Sequence, residues 1–294
     1  MLTIFTIPKA FHGLNGVIQD NAIRSWLALE PAPEIILLGR DDGVAETAAK
    51  FGLKHAADVD CNEHGTPLVS SMFEIAQGIA GNPLMCYINA DIILLNDFLP
   101  AIRRIAMPTF LVIGRRWDMD ITEPLDFSEA SWEKRLRARL AEEGGLHGAT
   151  GLDYFVFPRG FYRDIPPFAV GRTTWDNWLA YHARRQKAPL IDATGAITII
   201  HQNHDYSHSP AGETGVWKGP EAQVNFALAG DGKYAFSIAN ATHLMTPLGI
   251  RAARTPRYLY TRLTELPVLH PGLGFLYRPL KALSGMPARI RGNG

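Results

Sequence analysis

Cysteine is scarce in this chain, with two in 294 residues, Cys61 and Cys86. Two thiols so far apart supply neither a disulfide framework nor a clustered thiolate metal site, and they read as reduced side chains in a cytoplasmic protein. Long hydrophobic runs are missing too. Nothing approaches the roughly 18 apolar residues that a membrane-crossing helix needs. The opening MLTIFTIPKAF is apolar only to Ile7 and carries no basic leader, which predicts a first core strand rather than a signal peptide. Net charge is absent, 29 Lys+Arg balancing 29 Asp+Glu. With no basic field and no reading motif, nucleic acid is not an expected partner. Repeats and low-complexity tracts are also lacking. What remains is an ordinary globular composition, 47% apolar and 20% charged, in a chain long enough to bury a sizeable core.

The first half alternates strand and helix signals. LTIFTI, EIILLG and LMCYINADIIL read as strands, the last two as the continuous apolar runs of strands buried on both faces. GVIQDNAIRSWLAL and VAETAAKFG read as helices between them. GTPLVSSMFEIAQGIAG predicts a further helix with Thr66 as N-cap, Pro67 in its first turn and Gly81 at its exit. TFLVIGRRWDM reads as one more strand, SEASWEKRLRARLAEEG as a charged helix over 128–144, and LDYFVFP as a strand. TTWDNWLAYHARRQ is a helix that Thr173 or Thr174 caps, followed by a return to strand ending at Ile200. This order implies an α/β fold: a Rossmann-like, doubly wound, mostly parallel sheet with helices on both faces. Such sheets bind ligands where their strands end.

Two strand ends carry candidate chemistry. In YINADI, Asn89 and Asp91 stand two apart, so an extended segment puts both on one face. Carboxylate and carboxamide oxygens suit Mg²⁺ or Mn²⁺. In TGAITIIHQNHDYSH three histidines fall within eight residues, His201, His204 and His208, beside Asp205. Asp91 and one of His201 or His204 are expected to hold a divalent ion, with diphosphate oxygens and water completing the shell. Asp176, in the first turn of the tryptophan helix, is a candidate base, as is Asp153 ahead of YFVFP. Arg172 precedes that helix and is expected to offer a charge-assisted bond to phosphate. Thr6, Pro8 and Lys9 end the first strand, where a base or ribose would lie, and Asp41 ends the second. Gly65 and Thr66 precede a helix whose free amides favour anions.

These stretches in this order, FTIPKAF, GTPL, INADI, WDNW and HQNHDYSH, resemble nucleotide-diphospho-sugar glycosyltransferases of the GT-A type, in particular a bacterial glycosyltransferase-like group. The resemblance covers residues 1–245; residues 246–294 form a basic, Pro/Arg-rich extension. It implies a D-x-D metal motif, matched by Asn89-Ala90-Asp91 with Asn in the first position. It implies a downstream histidine ligand, best matched by His201 and next by His204, and a base at Asp176. The expected activity is metal-dependent transfer of a sugar from a nucleoside diphosphate to a hydroxyl of a glycan or lipid-linked acceptor, with inversion. The alternatives are a non-catalytic nucleotide-sugar or glycan-binding protein, and a metallohydrolase built on the histidines. A nucleotidyltransferase would need a Gly-rich basic loop after the first strand, which TIPKAFHGLNG does not supply. From Arg251 onward the chain has eight Lys/Arg (Arg251, Arg254, Arg257, Arg262, Arg278, Lys281, Arg289, Arg291) against one acid, Glu265. That excess suits contact with a membrane surface at the cytoplasmic face.

Overall fold

A computed structural model describes residues 1–204 and 212–276. Asp205 and His208 of the histidine-rich segment, and Arg278, Lys281, Arg289 and Arg291 of the tail, lie outside the described residues. The chain begins with β1 (Leu2–Thr6), α1 (Gly13–Leu27), β2 (Glu34–Leu38), α2 (Val44–Phe51), β3 (Lys54–Ala56), α3 (Val69–Ile79) and β4 (Leu84–Ile88). These four strands run parallel in the spatial order β3-β2-β1-β4. Then follow β5 (Ile92–Leu94), α4 (Phe98–Arg103), β6 (Leu111–Ile113), β7 (Trp117–Met119), α5 (Trp132–Glu143), β8 (Gly145–Leu146) and β9 (Tyr154–Pro158). The remainder is α6 (Trp175–Arg185), β10 (Leu190–Asp192), β11 (Ile199–Gln202), α7 (Gly212–Lys218), α8 (Pro220–Leu228), β12 (His243–Thr246), β13 (Gly249–Ala252) and α9 (Pro256–Leu269).

Nine strands form the main sheet, in the order β13-β12-β10-β6-β9-β4-β1-β2-β3. Only β9 and β13 run against their neighbours, so the expected mixed α/β, mostly parallel sheet is present. Alternation along each strand feeds two apolar layers. Phe5, Tyr87 and Phe157 join Phe73 and Trp178 on one face. Ile4, Cys86 and Val156 join Trp26 and Ile23 on the other. The aromatic layer is tightly meshed: Phe73 stacks on Phe157 at 5.6 Å and meets Phe5 edge-on at 5.0 Å. Such pairs add about 0.5–1.5 kcal/mol each beyond burial. A second sheet, β5-β11-β7-β8, lies past the end of β4. It brings β11 beside both β5 and β7.

Four expectations need correction. TFLVIGRRWDM is not one strand. It breaks after Ile113, so β6 stays in the main sheet and β7 enters the second. Gly114 stands at the break, where a Cβ would sit 2.5 Å from the Tyr154 hydroxyl. Next, α3 starts at Val69, not at Pro67. Pro67 bridges Cys61 instead, and the Leu68 and Val69 amides donate to Asp60 O and Phe168 O at 2.8 and 2.9 Å. Distant loops thus take up amides that a bare helix start would offer to an anion. The strand expected to end at Ile200 runs on to Gln202 and includes His201. Finally, the sheet continues past residue 245 through β12 and β13, and α9 follows where only weak periodicity was visible.

Candidate active site

The turn from β4 to β5 opens the site. Ile92 N donates to Asn89 O at 3.2 Å, so residues 89–92 turn rather than extend. Asn89 and Asp91 therefore face different partners, contrary to the one-face expectation. Asn89 Nδ2 donates to Asp153 Oδ1 at 2.9 Å, and its Oδ1 accepts from the Tyr87 hydroxyl at 3.1 Å. Asp91 turns toward the second sheet, where β11 pairs with β5 and delivers the histidines. His204 Nε2 lies 3.1 Å from Asp91 Oδ2, and His201 Nε2 lies 3.7 Å from the same oxygen. One ligand atom from each of Asp91, His201 and His204 falls within 4.8 Å of the others. Asp91 Oδ1 is buried and has no hydrogen-bond partner among the described residues.

Behind the histidines stands a charged network. His201 Nδ1 faces two acceptors, Asp118 Oδ1 and Asn203 Oδ1, both at 3.3 Å. A proton on Nδ1 serves these acceptors, and Nε2 is the ring atom turned toward Asp91. Asp118 Oδ2 meets His147 Nδ1 at 2.7 Å. Arg116 bridges two carboxylates, Asp118 Oδ1 and Asp153 Oδ1, each at 2.8 Å. Burial works against charge on Asp91, yet His201, His204 and Arg116 override it and hold the carboxyl well below the usual range. Asp118 is depressed likewise: burial opposes, and His201, Arg116 and His147 prevail. Arg116 is itself pushed up, Asp153, Asp118 and Asp91 outweighing its burial.

Asp176 sits at the start of α6 on the aromatic layer. Trp175 packs edge-on against Tyr87 at 5.2 Å, and Asn177 Nδ2 donates to Phe236 O at 2.9 Å. Both contacts fix the first turn. The expected threonine cap is not made. Thr174 precedes the helix with φ 86°, and neither hydroxyl caps an amide. A β-branched residue is strained in that region, and the strain lies next to Asp176. Burial, reinforced by the negative charge of Asp153, pushes the Asp176 carboxyl up to about 7, although helix amides pull the other way. Asp153 is buried, with Oδ2 lacking a partner. Asp176 is thus a carboxyl of near-neutral pKa near a second carboxyl, Asp153.

The other expected binding residues lie in the loops at the strand ends. Thr6 is fully buried, and its hydroxyl has no partner among the described residues. Pro8 is buried. The Lys9 backbone is pinned by Gln19 at 2.7 and 2.9 Å, and Phe11 N donates to Asp42 O at 2.8 Å, drawing the β1 and β2 loops together. Asp41 is exposed. Gly65 takes φ 79° in the loop before α3. Thr66 neighbours Glu221 and helps to hold that carboxyl below its usual range against its burial. Arg172 gives its guanidinium to the same Glu221 at 2.6 and 2.9 Å, so the arginine expected to meet phosphate is engaged by a carboxylate of α8. Sequence reasoning missed Arg116, Asp118, His147 and Glu221. The RRWD run directly after β6 was the available signal for the first two.

No protein-family model matches the chain, and no curated protein sequence does. Solved structures resemble it at low identity. A mannosyltransferase, PcManGT from Pyrobaculum calidifontis, described in complex with GDP-Man and Mn²⁺, aligns over 96% of this chain and 84% of its own, at 12% identity and TM-score 0.44. TarS residues 1–349 from S. aureus align over 69% of this chain and 58% of theirs, at 10% identity and TM-score 0.41.

Proposed function

We propose that the protein is a divalent-cation-dependent glycosyltransferase acting on a nucleoside-diphosphate sugar. One observation carries the reading: the buried, unpartnered Asp91 Oδ1, whose sister oxygen is faced by two imidazole Nε2 atoms at the end of β4. A buried acceptor without a donor is costly, and a cation resolves it. One oxygen and two nitrogens suit Mn²⁺ better than Mg²⁺, which favours all-oxygen sets. Three protein ligands leave positions open for diphosphate oxygens. When bound, the ion supplies neutralisation of the charge that grows on the departing diphosphate.

The chain's own residues do the rest. Asp118 and Asn203 hold His201 through Nδ1, so that Nε2 is the atom turned toward the ion. Arg116 holds Asp118 and Asp153 in place. Asp176, with its near-neutral pKa, takes the proton of the acceptor hydroxyl as that oxygen bonds the anomeric carbon. The bond from the anomeric carbon to the phosphate oxygen breaks, and the electron pair leaves with the nucleoside diphosphate. Attack from the face opposite that bond inverts the anomeric centre. Among the described residues one carboxyl is tuned toward neutrality, which supports a single-displacement course over a two-step one. The loops after β1 and β2, with Thr6, Pro8, Lys9 and Asp41, are assigned to the nucleoside.

The test is thermal denaturation with nucleoside diphosphates, with and without Mn²⁺, since a ligand of the native state raises its stability by mass action. A rise for one base that requires Mn²⁺ and vanishes in Asp91→Asn is expected. Release of free nucleoside diphosphate from the matching nucleotide sugar should follow the same pattern. A stoichiometric zinc content with no nucleotide effect would turn the reading toward a metallohydrolase, and nucleotide binding without release would turn it toward a binding protein.

A further inference from the structure

The helix α9 is mounted with its polar side inward. Its one acid, Glu265, is 3% exposed. Its carboxylate accepts from Arg184 Nη2 and from Asn240 Nδ2, each at 2.8 Å. Arg262 donates to Thr242 O and Ala253 O, both at 2.9 Å. The outward face is apolar: Leu259, Tyr260, Leu263 and Leu266 are 47, 41, 56 and 38% exposed. The three leucines fall at i, i+4 and i+7, one stripe of a helix, and Phe275 beyond them is 73% exposed. A soluble helix wears the opposite pattern.

Along the described chain from Arg251 the exposed charge has one sign. Arg251, Arg254 and Arg257 are exposed, and among the described residues none of the three enters an ion pair. From residue 251 to the end, the one acid is the buried Glu265. The sequence after residue 276 adds Arg278, Lys281, Arg289 and Arg291. Among the described residues no helix is long and apolar enough to cross a membrane.

We infer that this face of α9 docks on an anionic lipid bilayer, the leucine stripe entering the headgroup–acyl boundary and the arginines meeting lipid phosphates. Helices that lie in that plane combine these features, and each basic residue near an anionic surface contributes about 1 kcal/mol. A second copy fits less well, because a two-fold contact places a patch on itself and would set arginine against arginine. The inference stands independently of the sugar-transfer reading.

The experiment is co-sedimentation of the full chain with vesicles of phosphatidylcholine alone, or mixed with phosphatidylglycerol. Two triple variants accompany it, Leu259→Ser/Leu263→Ser/Leu266→Ser and Arg251→Gln/Arg254→Gln/Arg257→Gln. All six positions are exposed, and unchanged melting temperatures certify the folds. The native chain should partition to the mixed vesicles and far less to phosphatidylcholine. The leucine variant should lose about tenfold or more of that partitioning, and the arginine variant should lose the preference for anionic lipid. Absence of binding to mixed vesicles would overturn the inference. So would binding undiminished in the leucine variant, or a dimer in solution that the leucine variant alone dissolves.

Discussion

Arg184 and Arg116 each meet a buried carboxylate, Glu265 and Asp153, and they do so differently. Arg184 meets Glu265, whose two oxygens are both satisfied, one by Arg184 and one by Asn240. Arg116 meets Asp118 and Asp153, next to Asp91, and there two carboxylate oxygens, Asp91 Oδ1 and Asp153 Oδ2, are buried without a donor. In the first network both carboxylate oxygens are met and the atom left over is a donor, the buried Arg184 Nε; it fastens α9 to α6 and to the turn before β12. The second holds more acceptors than donors. A carboxylate with both oxygens met is accounted for by the fold it holds together. An open one is accounted for by something that binds there, and its unmet oxygens are a cost that the fold alone does not repay. Removing a carboxylate should therefore cost stability in the first region and activity in the second.

The sharpest separation comes from Asp176→Asn at the open site. General-base loss lowers turnover by about 10²–10⁴-fold, measured as nucleoside diphosphate released. Stability should move the opposite way. Folding raises the Asp176 pKa from 3.8 to about 7, so the native state holds the proton more tightly than the unfolded chain does. Native stability then falls as pH rises from about 4 to about 7. The asparagine variant escapes that loss. It should melt higher than the native chain at pH 8, with the difference gone by pH 4. In the native chain turnover should rise about tenfold per pH unit up to about 7 and then level, because the base must be ionised. A variant that melts lower at pH 8 would mean that the Asp176 carboxylate is held by donors as Glu265 is.

Glu265→Ala probes the first network. It strands the Arg184 charge and removes the acceptor of Asn240, so a loss of about 3–5 kcal/mol in chemical denaturation is expected. Activity per folded molecule should not change. If activity falls with the folded fraction held constant, the two networks communicate and the contrast fails.

Asp118→Asn lies between these cases. The residue touches no expected substrate and acts through His201, so the variant should weaken Mn²⁺ affinity by about 10–100-fold while nucleoside diphosphate still binds at saturating metal. A fall in nucleotide affinity that excess Mn²⁺ does not restore would place Asp118 in direct contact with the ligand.

The sequence was legible where chemistry sits at strand ends. Asp91 and His201 stand out because an apolar run stops beside each, but what brings them together is the antiparallel pairing of β11 with β5 in the second sheet. Asp118 and Arg116 were hidden because TFLVIGRRWDM divides after Ile113 between two sheets, β6 pairing with β10 and β7 with β11, which is a tertiary fact. The start of α3 was missed for a similar reason: Asp60 and Phe168, both outside the helix, accept its early amides. The helix α9 escaped notice because its leucines face outward and Pro267 interrupts its pattern, so the usual link between an apolar stripe and a core does not apply.

The smallest expected effect concerns Asn89, which stands where a D-x-D motif carries its first acid. An aspartate there would look like a restoration. The geometry says otherwise, since Asn89 Nδ2 is the donor to Asp153 Oδ1 at 2.9 Å and its Oδ1 already has the Tyr87 hydroxyl. Asn89→Asp replaces that donor with a second acceptor against a carboxylate whose other oxygen lacks a partner. The variant should lose about 1–2 kcal/mol of stability at neutral pH and recover part of it in acid, where one of the facing carboxyls takes a proton and becomes a donor. Metal affinity should stay near that of the native chain, because Asn89 faces Asp153 and not the Asp91–histidine group. Tighter Mn²⁺ binding with no cost in stability would show that residue 89 swings toward the ion, and would merge the two sides of the turn into one site.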